Sequence, residues 1–166
     1  VDSGTETINS INPNVIVDKH ETAFTSENAM DLVTDYDIVV DGTDNFPTRY
    51  LTNDACVLHG KPNVYGSIFR FDGQASVFAP SLGGPCYRCL YAKAPPQGTV
   101  PTCSEGGVLG ALAGTMGSLQ ATEILKELMG IGDSLAGYLI LYDALSTTIR
   151  KMALKPRPEC ATCGNG

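Results

Sequence analysis

Apolar and polar positions along the chain alternate in short blocks, and the period of each block predicts its element. Val1, Thr5, Ile8 and Ile11 recur at helical spacing and Asn12-Pro13 ends the run, so the chain is expected to open on the tail of a helix. Nothing before Val1 supplies the start of that helix or a preceding strand, and the expectation is that the chain begins within a domain. Val15-Ile16-Val17 reads as a short strand, and Ser26 as the cap of a helix through Val33, with Glu27 in its favourable first turn. Asp37 to Asp41 is a near-continuous apolar run, the pattern of a buried parallel strand, and it ends in Gly42-Thr43-Asp44-Asn45. A helix follows, with Pro47 in its first turn and Gly60 past its end, and then a strand at Asn63-Val64-Tyr65. Such alternation predicts a parallel sheet with helices on its faces.

The period then changes. Ser67 to Phe71 and Gln74 to Phe78 flank Asp72-Gly73, which predicts a hairpin with a type I′ turn there. A loop rich in proline, glycine and cysteine leads to one long helix, Val108 to Met129, stopped by Gly130. Its second half carries Ala121, Ile124, Leu125 and Leu128 at helical spacing. Its first half is nearly all small or apolar, a surface that another backbone can approach, so that half is expected to be buried. Tyr138 to Tyr142 and Thr148 to Leu154 complete an antiparallel extension. The whole reads as one domain, residues 1–166.

Composition narrows the function. At 166 residues, with 43% hydrophobic positions, the chain has ample length for a core. A formal net charge of −7 would repel a phosphate backbone, which argues against nucleic acid. No apolar run approaches the roughly 18 residues of a membrane span, and no signal peptide is visible. The six cysteines fall mainly in C-x-x-C pairs, which favours metal in a reducing compartment, the cytoplasm, over secreted disulfides.

Three sets of residues could carry chemistry. Cys86 and Cys89 form one C-x-x-C, and Cys160 and Cys163 form another at the end of the chain. Four thiolates suit structural tetrahedral zinc with no open position; the alternative is two chance pairs of buried thiols. Asp44 follows a strand at the end where ligands of open α/β sheets gather, and its carboxylate suits Mg²⁺. Otherwise Asp44 or Thr43 merely caps the next helix. Asn45 could orient a ligand or cap the same helix, and Arg49 could meet phosphate or pair with Asp44. Cys103, just before the glycines that open the long helix, is a candidate reactive thiol, because a helix N-terminus favours thiolate; the alternative is a small buried hydrophobe. Cys56, inside a helix, reads as the latter, and His20 and His59 give no Cys–His pair. There is no G-x-G-x-x-G and no Walker loop.

One resemblance spans essentially the whole chain. Asp41-Gly42-Thr43-Asp44-Asn45, Thr48-Arg49-Tyr50, Gly60-Lys61-Pro62, Gly73-Gln74, the Cys86/Cys89 pair, Cys103-Ser104-Glu105-Gly106-Gly107-Val108, Gly117 to Glu123 and the Cys160/Cys163 pair occur in order. They resemble the ubiquitin-activating-like adenylyltransferases of sulfur-carrier pathways, closest to the molybdopterin-synthase type and only to the carboxyl-terminal part. The resemblance implies an α/β, Rossmann-like parallel sheet, carboxyl-terminal half, with an antiparallel extension and a four-cysteine zinc clip. It implies ATP and Mg²⁺, and a ubiquitin-like sulfur-carrier protein whose terminal glycine carboxylate attacks the α-phosphate to give an acyl-adenylate. Residue by residue, Asp44 would bind magnesium and triphosphate with Asn45 beside it, and Cys103 would be the candidate for a thioester or acyl-disulfide. The family's glycine-rich ATP loop has no counterpart in this sequence. A homodimer is expected from the same resemblance. The thiamine-pathway relative is the nearest alternative, and a non-catalytic zinc-stabilised docking module for a ubiquitin-like protein is the alternative of another class.

Overall fold

Five strands form a single sheet in the order β1-β2-β3-β4-β5. They are β1 (Val39–Asp41), β2 (Asn63–Phe69), β3 (Asp72–Phe78), β4 (Tyr138–Asp143) and β5 (Thr148–Ala153). The computed structural model describes residues 1–164 other than 97 and 102, with 103 and 104 described by their backbone alone. Among the described residues six α-helices accompany the sheet: α1 (Asp2–Ile11), α2 (Ala29–Thr34), α3 (Phe46–His59), α4 (Tyr87–Leu90), α5 (Cys103–Gly106) and α6 (Gly110–Met129). Among the described residues no helix is long and apolar enough to cross a membrane.

Only β1 and β2 pair in parallel; every other neighbour is antiparallel. The mixed α/β sheet is thus as expected, with its parallel part reduced to one pair in this chain. Alternation sends Val64, Ala75 and Val77 to one face, where Leu112 and Met116 of α6 pack on Ala75, while Leu135 and, from α6, Ile124 pack with Val64 and Val77. The opposite face carries Tyr65 and Phe78, which pack with Tyr50 of α3 and Tyr87 of α4. Tyr87 lies at the centre, its ring 5.1 Å from Tyr50, 5.4 Å from Tyr65 and 5.7 Å from Phe78.

Several elements depart from their predicted form. Val15 to Val17 joins no strand, and Ile16 is 88% exposed. The helix expected at Ser26 starts at Ala29, because the Asn28 carboxamide accepts from Thr25 N and holds residues 25–28 in a turn. Val40 remains 49% exposed, since α6 covers β2 and β3 rather than β1.

The hairpin exists, but its two-residue turn is Arg70-Phe71, with Phe69 opposite Asp72 and Arg70 at φ 53°. Gly73 is a strand residue facing α6. A Cβ there would lie 2.5 Å from Met116 Sδ, so this glycine serves close packing rather than a turn. The same contact reverses the expectation for the first half of α6, whose Gly110, Ala111, Ala113, Gly114, Gly117 and Ser118 are exposed. The close approach is made by glycines of the sheet, Gly66 and Gly73, against large side chains of the helix.

Candidate functional site

The chain leaves β1 through a tightly held loop. Asp41 is 1% exposed, and its Oδ1 accepts from both Thr43 N (2.9 Å) and Thr43 Oγ1 (2.8 Å), the Asx turn expected of this residue type. Arg49, one turn into α3, donates from Nε (3.0 Å) and Nη2 (2.7 Å) to Thr43 O. Behind the loop, Gln120 Nε2 of α6 donates to Asp41 O (3.0 Å) and Val64 O (3.1 Å), tying β1 to β2. Asn45 caps α3 by accepting from Thr48 N at 2.9 Å.

These constraints leave Asp44 at the carboxyl end of β1, exposed and with no hydrogen bond or ion pair among the described residues. It borders two adjoining cavities. One, about 190 Å³, has a wall of Gly42, Gly66, Ala113 and Gly117. The other, about 200 Å³, is walled by Phe46, Tyr65, Tyr87 and Tyr91. Asp44, Arg49, Ser67 and Ile68 line both. Arg49 does not pair with Asp44; its guanidinium braces the loop and lies 5.5 Å from the Tyr65 ring centre. Burial pushes the Tyr65 phenol up to about 12 and raises that of Tyr87 further, so both hydroxyls stay protonated at neutral pH.

The four paired cysteines converge as predicted. Their sulfurs lie within 4.8 Å of one another, with Cys86 to Cys160 at 3.5 Å, Cys89 to Cys163 at 3.4 Å and Cys86 to Cys89 at 3.9 Å. Tetrahedral zinc with Zn–S of about 2.3 Å requires sulfurs about 3.8 Å apart, so the set fits that ion without rearrangement of the chain. All four are free thiols rather than disulfides. Burial raises the Cys86 thiol. For Cys160 burial acts in the same direction, but the backbone N–H groups of Cys163 and Thr162 outweigh it and bring the thiol down to about 7. Backbone donors to sulfur recur at Arg157 N, 3.4 Å from Cys89 Sγ.

A carboxylate on α3 holds the two knuckles together. Asp54 accepts from Arg88 Nε and Nη2 at 2.8 and 2.7 Å, and from Thr162 Oγ1 at 3.2 Å. Burial opposes its ionisation, but these bonds and one from Asn53 keep the carboxyl below its ordinary pKa. Tyr87, between Cys86 and Arg88, therefore carries the position of the thiol cluster into the wall of the aromatic cavity. Sequence patterns gave no role to Asp54, Tyr87 or Tyr91, and Gln120 entered only within the Gly117 to Glu123 segment of the resemblance. The one available signal was Tyr87-Arg88 inside the C-x-x-C, an aromatic and a cation where a bare metal knuckle needs neither.

Cys103 begins α5, a single turn separate from α6, which starts at Gly110. The long-helix dipole invoked for its thiol is therefore not at its backbone position, and its side chain lies outside the described residues. Val100 and Pro101 line the aromatic cavity, so the backbone brings Cys103 within two residues of that wall. His20 and His59 lie apart from the site, bonded to Tyr36 OH and Met30 O.

Residues 1–162 match the model of the ThiF family. The chain is 53% identical over 162 residues to a sulfur carrier protein adenylyltransferase of Thermus thermophilus, covering 95% of this chain and 60% of that protein. It is 52% identical over 143 residues to the adenylyltransferase and sulfurtransferase MOCS3 of Sus scrofa, covering 86% of this chain and 31% of that protein. In fold it is similar to E. coli MccB crystallised with ATP, at a TM-score of 0.79 and 17% identity over 97% of this chain and 50% of that one. The chain thus spans 60% or less of these relatives' lengths.

Proposed function

This chain belongs to the ThiF family, and from that premise we propose that it forms the acceptor side of an ATP-dependent adenylyltransferase acting on a ubiquitin-like sulfur-carrier protein. The observation that carries the reading is the Asp44 carboxylate, without a partner among the described residues, where two unlike cavities meet. A glycine-walled space suits a nucleotide's phosphates, which need close backbone approach, and an aromatic slot suits an extended polypeptide end. Magnesium bound at Asp44 would neutralise charge on the triphosphate. The carrier's terminal carboxylate oxygen forms a bond to the α-phosphorus as the bond from that phosphorus to the pyrophosphate oxygen breaks. Acyl-adenylate and pyrophosphate result, with no proton transfer required. Arg49 keeps the Asp44 loop in place from below, and the Asn45 oxygen caps α3.

Zinc in the four-thiolate cluster is proposed as structural, anchoring the aromatic wall. Cys103 is proposed as the thiol that receives the activated acyl group after adenylation, the thiolate displacing AMP. The carrier is proposed to be of the molybdopterin-synthase small-subunit type, supported by the proline-rich loop and the carboxyl-terminal knuckle; a thiamine-type carrier is the alternative. A second copy of the chain is the other proposed partner, and free thiols fit a reducing cytoplasm.

The test is pyrophosphate release from ATP and Mg²⁺ with either carrier, using the polypeptide extended to its relatives' length. Release that depends on the carrier and falls about 100-fold or more in Asp44→Ala supports the reading. Full activity of that variant removes Asp44 from the site. Binding of a carrier by the extended polypeptide without turnover would instead support the docking-module reading, which the lack of a phosphate-binding glycine motif favours for this chain by itself.

A further inference from the structure

Gln74 of β3 faces the aromatic cavity from between Ser67 on β2 and Leu141 on β4. Its Oε1 accepts two hydroxyls at once, from Tyr91 at 2.9 Å and from Tyr65 at 3.4 Å. Both rings are themselves immobilised, Tyr91 at 5.1 Å and Tyr65 at 5.4 Å from Tyr87, and the raised pKa of Tyr65 keeps it a donor. A carboxamide oxygen that accepts two hydroxyls has used both lone pairs, so the amide can no longer flip. Its N–H₂ group is left with two donors and no partner among the described residues.

Position says what those donors are for. Gln74 and Phe69 line the aromatic cavity and also the open face beyond it, formed with Leu141, Tyr142 and Arg150. Asp44 and Ser67 line the aromatic cavity and the glycine-walled one. A chain end whose terminal carboxylate reaches Asp44 therefore passes Gln74 upstream of its terminus, where an extended segment offers a main-chain group about every 3.3 Å. A neutral, rotation-locked amide complements a neutral peptide carbonyl, with no charge on either partner to desolvate.

We propose that Gln74 is a specificity-determining residue whose carboxamide N–H₂ donates to a main-chain carbonyl of the carrier's tail. The inference rests on the reading that the aromatic cavity receives that tail. Isothermal titration of a purified glycine-ended sulfur-carrier protein into the polypeptide extended to its relatives' length, and into its Gln74→Glu variant, tests it. The substitution keeps the side-chain length and an acceptor for both tyrosines but replaces the donors with a carboxylate oxygen. Affinity is expected to fall about tenfold or more, and the difference between the two proteins to vanish when the carrier lacks its last residues. Equal affinity of both proteins for the intact carrier overturns the inference and leaves the proposed function standing. No binding even by the unsubstituted extended polypeptide overturns both. If Gln74→Glu folds poorly by its melting curve, Gln74→Met, which has neither donor nor charge, is read the same way: weaker tail-dependent binding supports the donor and unchanged binding refutes it.

Discussion

Gly66→Ala is expected to be among the most damaging single-methyl additions in this protein. A Cβ on Gly66 would fall inside the Gln120 carboxamide, whose nitrogen lies 2.7 Å from that point. Gln120 cannot simply swing away, because it holds Asp41 O and Val64 O, both in a buried setting. Overpacking costs about 1–3 kcal/mol, and losing two amide–carbonyl bonds costs about 1 kcal/mol each. The variant should therefore lose about 3–5 kcal/mol, a large share of the stability of a domain this size. Gln120→Ala alone should cost about 2–4 kcal/mol, since it strands two buried carbonyls. In that background Gly66→Ala meets no obstruction and should change stability by no more than about 0.5 kcal/mol. Urea unfolding of the four proteins, followed by circular dichroism, gives the cycle directly. Additivity within about 0.5 kcal/mol would show that the methyl and the carboxamide do not compete for one space, and the packing account of Gly66 would fall.

Two further outcomes follow from the thiol cluster and its support. Protein dialysed in reducing buffer should carry about one zinc per chain, and Cys160→Ser should lower that content; less than about half an equivalent in the parent would remove the four-thiolate site. Asp54, whose folded pKa lies below its ordinary value, contributes stability above about pH 4 that is lost as the pH falls through its folded value. In metal-free, reduced protein Asp54→Asn should melt lower than the parent at pH 7 and decline less on acidification; parallel curves would show that the carboxylate is not held as described.

Patterns in the sequence predicted well what local chemistry decides. Pro47 and Gly60 bracket α3, and Gly60 does adopt a left-handed φ of 65°. Gly130 ends α6 in the same way, at φ 62°. The convergence of the paired cysteines was legible because two C-x-x-C pairs have the spacing of a four-thiolate set. What tertiary packing decides was less accessible. Asp72-Gly73 has the composition of a type I′ turn, yet Gly73 is required as a strand glycine beneath Met116, and Arg70 takes the positive φ instead. The small residues of α6 suggested close approach, but it is the sheet that provides the glycines and the helix that provides the bulk. Asp44 was singled out by its place after a strand, whereas Gln74 meets Tyr65 and Tyr91 across 9 and 17 residues of chain, and Asp54 meets Thr162 across 108.

An ion held by the four thiols would also change the topology of the chain. The two knuckles are 74 residues apart, and the span between them contains α5, α6 and the β4–β5 hairpin. Closing the cluster on one ion converts that span into a ring, and a cross-link across a ring of this size removes about 4.5 kcal/mol of disorder from the unfolded chain. Tension applied at the carboxyl terminus would then pass from the second knuckle straight to the first, bypassing α6 and both strands. The hairpin would neither peel from the sheet edge nor unravel from its free end until the ion let go.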